Sequence, residues 1–149
     1  MEIRRLSERH AVSPQIEPED VPAIAEAGFG TVICNRPDEE VPTELRAEAL
    51  RAAVEAAGLR FVELPATHAT IDKALAAAQR AASTGPTLAY CASGTRSSVL
   101  WAMGEATERA VVDVLADAAR AGYDLSALRP RLEAIHAASP VHGSGGASS

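Results

Sequence analysis

Residues 88–98, Leu-Ala-Tyr-Cys-Ala-Ser-Gly-Thr-Arg-Ser-Ser, place a cysteine at the end of an apolar stretch and an arginine at the start of a helical pattern. Residues 87–90 follow the turn dipeptide Gly85-Pro86 and have the composition of a short buried strand. Residues 97–108 are apolar nearly all round, which is typical of a central buried helix. A strand that leads through a short loop into a helix indicates an α/β fold.

The rest of the chain repeats this alternation of strand and helix patterns. Three further strands are predicted at residues 10–13, 29–34 and 59–64. Helices are predicted at residues 18–28, 43–57, 70–82, 110–120 and 125–137. We therefore expect one domain, residues 1–138, with a small, mainly parallel four-stranded sheet flanked by helices. Residues 139–149 are mostly glycine, serine and alanine, and we expect them to form a disordered tail.

Composition and charge narrow the possible partners. The 149 residues carry a formal net charge of −6 without a basic cluster, which disfavours nucleic acid and anionic membrane surfaces as partners. The longest uncharged apolar stretch, residues 81–95, is too short to span a bilayer, and the N-terminal residues lack the apolar core of a signal peptide. Two cysteines are too few for a disulfide framework and fit a reducing compartment. We therefore expect a soluble cytoplasmic protein.

Two loops are predicted at the carboxyl edge of the sheet, where α/β proteins bind their ligands. They are residues 35–41, after the second strand, and residues 91–96, after the last strand. In the second loop, backbone N–H groups converge into an anion-binding nest, and the following helix N-terminus adds partial positive charge. Gly94 permits backbone angles that other residues disfavour, and the planar guanidinium of Arg96 can hold an oxyanion in two hydrogen bonds.

The same positive field favours the thiolate form of Cys91, which makes this residue a candidate nucleophile. The alternative is a buried cysteine that acts only as a small hydrophobic residue. Because strand, cysteine, glycine, arginine and helix occur in register, the pattern favours the catalytic interpretation. The predicted catalytic residues are Cys91 and Arg96. The predicted substrate-binding residues of the loop are Ala92, Ser93, Gly94 and Thr95.

The segment YCASGTRSS at residues 90–98 resembles the active-site loop of bacterial phosphatase-like domains. These domains occur alone or fused to metallo-β-lactamase-type sulfur dioxygenases and sulfide:quinone oxidoreductases. The similarity extends to IRRLSERHAVSPQI at residues 3–16, AGFGTVICNRPDEE at residues 27–40 and GPTLAYCASGTRSSVLWAM at residues 85–103. The resemblance implies a dual-specificity-phosphatase-like fold, sulfur transfer in sulfide and persulfide metabolism, and a functional link to one of those two enzymes. Many members have arginine at the position of Ala92 and asparagine at the position of Cys34.

Two features distinguish the reactions that such a loop catalyses. Cysteine phosphatases resemble one another in having five residues between cysteine and arginine, whereas this chain has the four that are typical of rhodanese sulfurtransferases. Those phosphatases also carry an aspartic acid as general acid in a loop that corresponds to residues 65–70, where this chain has no carboxylate. We therefore expect sulfur transfer from thiosulfate or a persulfide, through a Cys91 persulfide, to a thiol such as glutathione. The alternatives are a phosphatase that uses Cys91 and Arg96, and a non-enzymatic module that senses anions or persulfides.

Three further residues near these loops each have two interpretations. Ser97 matches the hydroxyl that phosphatases place near the catalytic sulfur, or it belongs to the helix cap. Arg36 lies in a turn that resembles the LRPE-type turn of atypical inositol-pyrophosphate and tyrosine phosphatases. Its side chain contributes substrate-binding charge, or it pairs with an acidic residue at 38–40. His68 is an alternative proton donor or a solvated loop residue.

Cys34 ends its strand as Cys91 ends the last one, so both are expected at the carboxyl edge of one parallel sheet. Some cysteine phosphatases of this shape have a second thiol behind the catalytic loop, which makes Cys34 a possible redox partner that forms a disulfide with Cys91. The alternative is a small buried hydrophobic residue. His136 and His142 lack a spacing suited to metal binding, so neither a metal site nor a cofactor is predicted.

Overall fold

The computed structural model describes residues 1–139. The predicted tail at 139–149 therefore lies outside the described residues, except for Ser139, whose hydroxyl donates to the carbonyl oxygen of Thr107 at 2.6 Å. Among the described residues, no helix has the length and apolar character that crossing a membrane requires.

One five-stranded sheet forms the centre of the fold. Its strands are β1 (Arg4–Arg5), β2 (His10–Ser13), β3 (Thr31–Cys34), β4 (Arg60–Glu63) and β5 (Thr87–Tyr90). Their order is β1-β2-β5-β3-β4, in which β2, β5, β3 and β4 are parallel and β1 is antiparallel to β2. The four predicted parallel strands are thus confirmed. The additional strand β1 consists of two charged residues and has no apolar pattern that predicts a strand.

Six α-helices surround the sheet in the described part of the chain. They are α1 (Val21–Glu26), α2 (Ala47–Ala56), α3 (Lys73–Ala82), α4 (Thr95–Glu105), α5 (Val111–Arg120) and α6 (Arg129–Ala138). Helix α2 begins later than predicted because the carboxylate of Asp38 accepts a hydrogen bond from the Ala47 N–H at 2.8 Å. Helix α3 likewise begins after Asp72, whose carboxylate accepts from the Leu75 N–H at 2.8 Å.

The sheet separates two layers of helices, and alternate residues of its central strands are buried on opposite faces. Ile33 and Ala89 belong to the core cluster that includes residues of α3, α4, α5 and α6. Val32 and Leu88 belong to the cluster formed with residues of α1 and α2. All residues of β2, β3 and β5 are buried, which explains their nearly continuous apolar pattern.

The strand register brings the two predicted loops together at one edge. Cys34 of β3 and Ser13 of β2 are both level with Tyr90, the last residue of β5. The loops after β3 and β5 therefore leave neighbouring parallel strands side by side. This arrangement confirms the fold class predicted from the sequence and places the chemistry-bearing segments in contact.

Candidate active site

Cys91 directly follows β5, and the loop that it begins leads into α4. The Gly94 N–H donates to the sulfur of Cys91 at 3.1 Å, so one loop amide is directed at the predicted nucleophile. Gly94 has φ +93°, in the left-handed region that favours glycine. Its carbonyl oxygen accepts hydrogen bonds from both the hydroxyl and the N–H of Ser98, at 2.8 and 2.9 Å. These bonds fix the turn between strand and helix.

Tyr123 supports this turn from the other side. Its hydroxyl donates to the carbonyl oxygen of Ser93 at 3.0 Å. A Cβ atom at Gly94 would lie 3.0 Å from Cζ of Tyr123 and closer still to its hydroxyl oxygen. The Arg4 guanidinium lies 5.7 Å from the centroid of the Tyr123 ring and donates to the Ala121 carbonyl oxygen at 3.0 Å. Burial raises the pKa of Tyr123, so its hydroxyl stays protonated and donates.

A cavity of about 420 Å³ lies beside the loop. Its lining residues are Glu40, Thr67, His68, Ser93, Thr95 and Arg96. Cys91 is fully buried and is not among them. A substrate in the cavity therefore reaches the sulfur only when loop residues shift. His68 is exposed in this lining, and its two interpretations stay predictions.

Arg96 lies between Cys91 and a carboxylate. Its two terminal nitrogens donate to the two oxygens of Glu40 at 2.8 Å each, and one of them also donates to the Ala66 carbonyl oxygen at 2.8 Å. This fork lowers the pKa of the Glu40 carboxyl and raises the pKa of Arg96, to which the nearby Cys91 also contributes. The Arg96 side chain is 12% exposed and that of Glu40 is 34% exposed. Glu40 is therefore held ionised beside the loop.

Arg36 binds the same carboxylate. Its Nε donates to Glu40 at 3.2 Å, and one terminal nitrogen donates to the Gln15 side-chain oxygen at 3.2 Å. Arg36 does not line the cavity around Arg96. Of the two interpretations of Arg36, the structure thus contains the pairing with an acidic residue.

A buried amide network connects three elements beneath the site. The side-chain N–H₂ of Asn35 donates to Gln79 at 2.8 Å and to the Leu64 carbonyl oxygen at 2.9 Å. Gln79 in turn donates to the Ser97 carbonyl oxygen at 3.4 Å. The backbone carbonyl oxygen of Asn35 accepts a hydrogen bond from the Ala66 N–H at 2.8 Å, which positions the Ala66 carbonyl group that Arg96 contacts. Sequence analysis did not single out Gln79. The signal that could have indicated it is a polar residue on the otherwise apolar, buried face of α3.

The predicted neighbours Ser97 and Cys34 occupy different surroundings. Ser97 is buried, and its hydroxyl has no hydrogen-bond partner within residues 1–139. Cys34 is a free, buried thiol that donates to the Arg36 carbonyl oxygen at 3.4 Å, and burial raises its pKa. Its side chain packs with Tyr90 on the face of the sheet that α1 and α2 cover, whereas Cys91 lies beyond the end of β5 and belongs to the loop. Both cysteines are free in the structure, and the Cys34–Cys91 disulfide stays a prediction.

Comparison with known proteins places the chain in a family context. A family model described as the phosphatase-like domain of beta-lactamase hydrolase-like proteins matches residues 2–108. The beta-lactamase hydrolase-like protein of Agrobacterium fabrum is 32% identical over 145 residues, which cover 94% of this chain and 34% of that protein. Its counterpart in Xylella fastidiosa (strain Temecula1) is 36% identical over 108 residues, which cover 70% of this chain and 25% of that protein. The chain thus spans about a third or less of these relatives.

Solved structures with the same fold include several phosphatases. A candidate phosphatase from Neisseria meningitidis matches with a TM-score of 0.79 and 34% identity over 91% of this chain and 99% of that one. Tk-PTP in its active form matches with a TM-score of 0.69 at 15% identity, over 91% and 97% of the two chains, and shares the fold. TpbA of P. aeruginosa matches with a TM-score of 0.65 at 20% identity, over 92% and 89%. Tk-PTP and TpbA share the fold, whereas the family model and the 34% identical structure from Neisseria meningitidis favour the phosphatase alternative over the predicted sulfur transfer.

Proposed function

This chain belongs to the phosphatase-like domain family of the beta-lactamase hydrolase-like proteins, and on that premise we propose that it is a cysteine-dependent phosphatase. The observation that carries the proposal is the position of Arg96, whose guanidinium lies beside Cys91 at the start of α4. A thiol, an arginine fork and a helix N-terminus together suit the capture of a tetrahedral oxyanion.

The proposed reaction has two steps. The thiolate of Cys91 attacks the phosphorus, so that an S–P bond forms while the bond to the leaving oxygen breaks and that oxygen takes the electron pair. Arg96 and the loop N–H groups bind the phosphoryl oxygens during this transfer. A water molecule then attacks the phosphorus of the phosphocysteine and gives its proton to solvent. A P–O bond forms while the S–P bond breaks and its electron pair returns to sulfur, which releases inorganic phosphate and restores the thiolate.

The charges around the cavity restrict the substrates of this reaction. The carboxylate in the lining, Glu40, is held ionised by Arg96 and has no proton to donate. Residues 65–70, which correspond to the acid-bearing loop of phosphatases, contain no carboxylate. We therefore expect substrates whose leaving group departs as a stable anion, such as aryl phosphates or phosphoanhydrides, rather than alkyl phosphates.

A second candidate, sulfur transfer, is favoured by the four residues between Cys91 and Arg96 and by the same lack of a carboxylic acid at residues 65–70. In that reaction the Cys91 thiolate attacks the outer sulfur of thiosulfate or a persulfide, the S–S bond breaks, and sulfite or a thiolate leaves with the electron pair. An acceptor thiolate, such as that of glutathione, then takes the outer sulfur and restores Cys91.

One experiment separates the candidates. The wild-type chain is assayed with 4-nitrophenyl phosphate for nitrophenolate release and with thiosulfate plus cyanide for thiocyanate release, beside Cys91→Ser and Arg96→Lys. We expect faster phosphate hydrolysis, loss of it in Cys91→Ser, and a loss of about 100-fold in Arg96→Lys, because an ammonium does not reproduce the bidentate fork. Faster thiocyanate release would establish sulfur transfer instead. If the protein shows neither activity but binds sulfate saturably, the result would indicate a binding module.

A further inference from the structure

A second cavity, of about 300 Å³, opens at the opposite edge of the sheet. His10, in its lining, is level with Thr87 at the start of β5, whereas Cys91 follows the end of that strand. A strand of this length separates the two edges by about 10 Å. The walls come from the turn between β1 and β2, the end of α3 and the second half of α4. The volume lies at the lower end of small-molecule sites.

His10 presents an unpartnered polar atom in this lining. The residue is 7% exposed, and its Nε2 has no hydrogen-bond partner among the residues that the structure describes. Native proteins rarely leave a buried polar atom unpaired without a ligand or water to bond it. Burial lowers the pKa of His10 to about 4, so the ring is neutral at pH 7 and its nitrogens either donate or accept one hydrogen bond.

Arg9 supplies charge to the same cavity. One of its terminal nitrogens would lie 3.8 Å from a Cβ at Gly85, which also lines the cavity. Within residues 1–139, Arg9 forms no ion pair, whereas the other arginine of the lining, Arg80, pairs with Glu105 and Glu108. The lining therefore offers one uncompensated positive charge beside a carboxylate that is already paired.

We propose that this cavity is a second ligand site that binds a small organic carboxylate, with the carboxylate on Arg9 and a further polar atom on Nε2 of His10. Leu100 and Trp101 give the ligand's body an apolar wall. The planar guanidinium matches a carboxylate in two parallel hydrogen bonds. A doubly charged phosphate ester fits less well, because Arg9 is the one arginine of this lining without an ion pair among the described residues. The proposal goes beyond the phosphatase function, which uses the other edge of the sheet.

The test follows backbone amide signals of the full-length ¹⁵N-labelled chain by NMR during titration with 4-hydroxybenzoate. This probe carries one carboxylate, an apolar ring and one further polar group. We expect saturable shifts at Ser7, Ser83 and Gly85, and at least tenfold weaker binding of the uncharged 4-hydroxybenzamide. Arg9→Gln should weaken 4-hydroxybenzoate binding at least tenfold. Arg46→Gln, a change at another exposed arginine without an ion pair among the described residues, should leave it within twofold.

Several results would overturn the proposal. They are shifts centred on the loop at 91–96, no saturable shift at millimolar ligand, equal binding of the amide, and unchanged binding in Arg9→Gln. Cys91→Ser should bind 4-hydroxybenzoate as the wild type does. Because the readout does not depend on turnover at Cys91, failure of this site and failure of the proposed activity are separate outcomes.

Discussion

Glu40→Gln tests how the loop arginine is oriented. The carboxylate of Glu40 accepts hydrogen bonds from both terminal nitrogens of Arg96 at 2.8 Å and from Nε of Arg36 at 3.2 Å. Glutamine keeps the size of the side chain but removes its charge and one acceptor oxygen. In this variant Arg96 loses the carboxylate that orients its guanidinium beside Cys91.

The magnitude follows from the two bonds and their exposure. A hydrogen bond to a charged group contributes about 1.5–3 kcal/mol when buried. The Glu40 side chain is 34% exposed, so solvent screening reduces the effect of the pair to about 1–2 kcal/mol. If that free energy orients Arg96 in the transition state, kcat falls about 5- to 30-fold. Sulfate inhibition should not weaken, because removing a negative charge makes the cavity more positive.

The assay measures kcat and KM for 4-nitrophenyl phosphate, or for thiosulfate if sulfur transfer is the activity, together with the inhibition constant of sulfate. Glu39→Gln is the matched control, because Glu39 lies on the same turn and forms no ion pair within the described residues. Three results would refute the reasoning: a kcat within twofold of wild type, an equal loss in Glu39→Gln, or sulfate inhibition that weakens in parallel with kcat.

Three further changes test the loop and the fold. Gly94→Ala should lower the free energy of unfolding, measured in urea, by about 2 kcal/mol or more, because alanine is strained at this positive φ and its Cβ meets Tyr123. Gly28→Ala is the control: its φ is +96° but the space around it is open, so the loss should be only about 1 kcal/mol. Tyr123→Phe removes the hydrogen bond to Ser93 and should lower kcat about three- to tenfold with little change in stability. A loss of stability without a loss of kcat would contradict the role of Tyr123 in supporting the loop. Burial lowers the pKa of His10 from 6.5 to about 4, so the unfolded state binds the proton first. The contribution of His10 to the unfolding free energy should be constant above about pH 6.5 and fall by up to about 3 kcal/mol towards pH 4. His10→Gln should remove this contribution, which is measured as a smaller slope between about pH 6.5 and 5.5.

The parallel strands and the cysteine–arginine loop were predictable because their signals are local. The segments at 31–34 and 87–90 are uncharged and fully buried, and a fully buried strand requires such a run of residues. Gly94 marked the turn because its backbone angle excludes most other residues. The register then followed from parallel pairing, which places the ends of neighbouring strands at one edge.

The partners of the loop depended on tertiary structure. The contact of Arg96 with Glu40 joins residues 56 apart in sequence, and that of Tyr123 with Ser93 joins residues 30 apart. No periodic pattern encodes such pairs, because they depend on how the helices pack around the sheet. The sequence alone offers three equivalent acids at 38–40. The turn after β3 decides between them, since it directs Asp38 to the N-terminus of α2, leaves Glu39 exposed and brings Glu40 to Arg96.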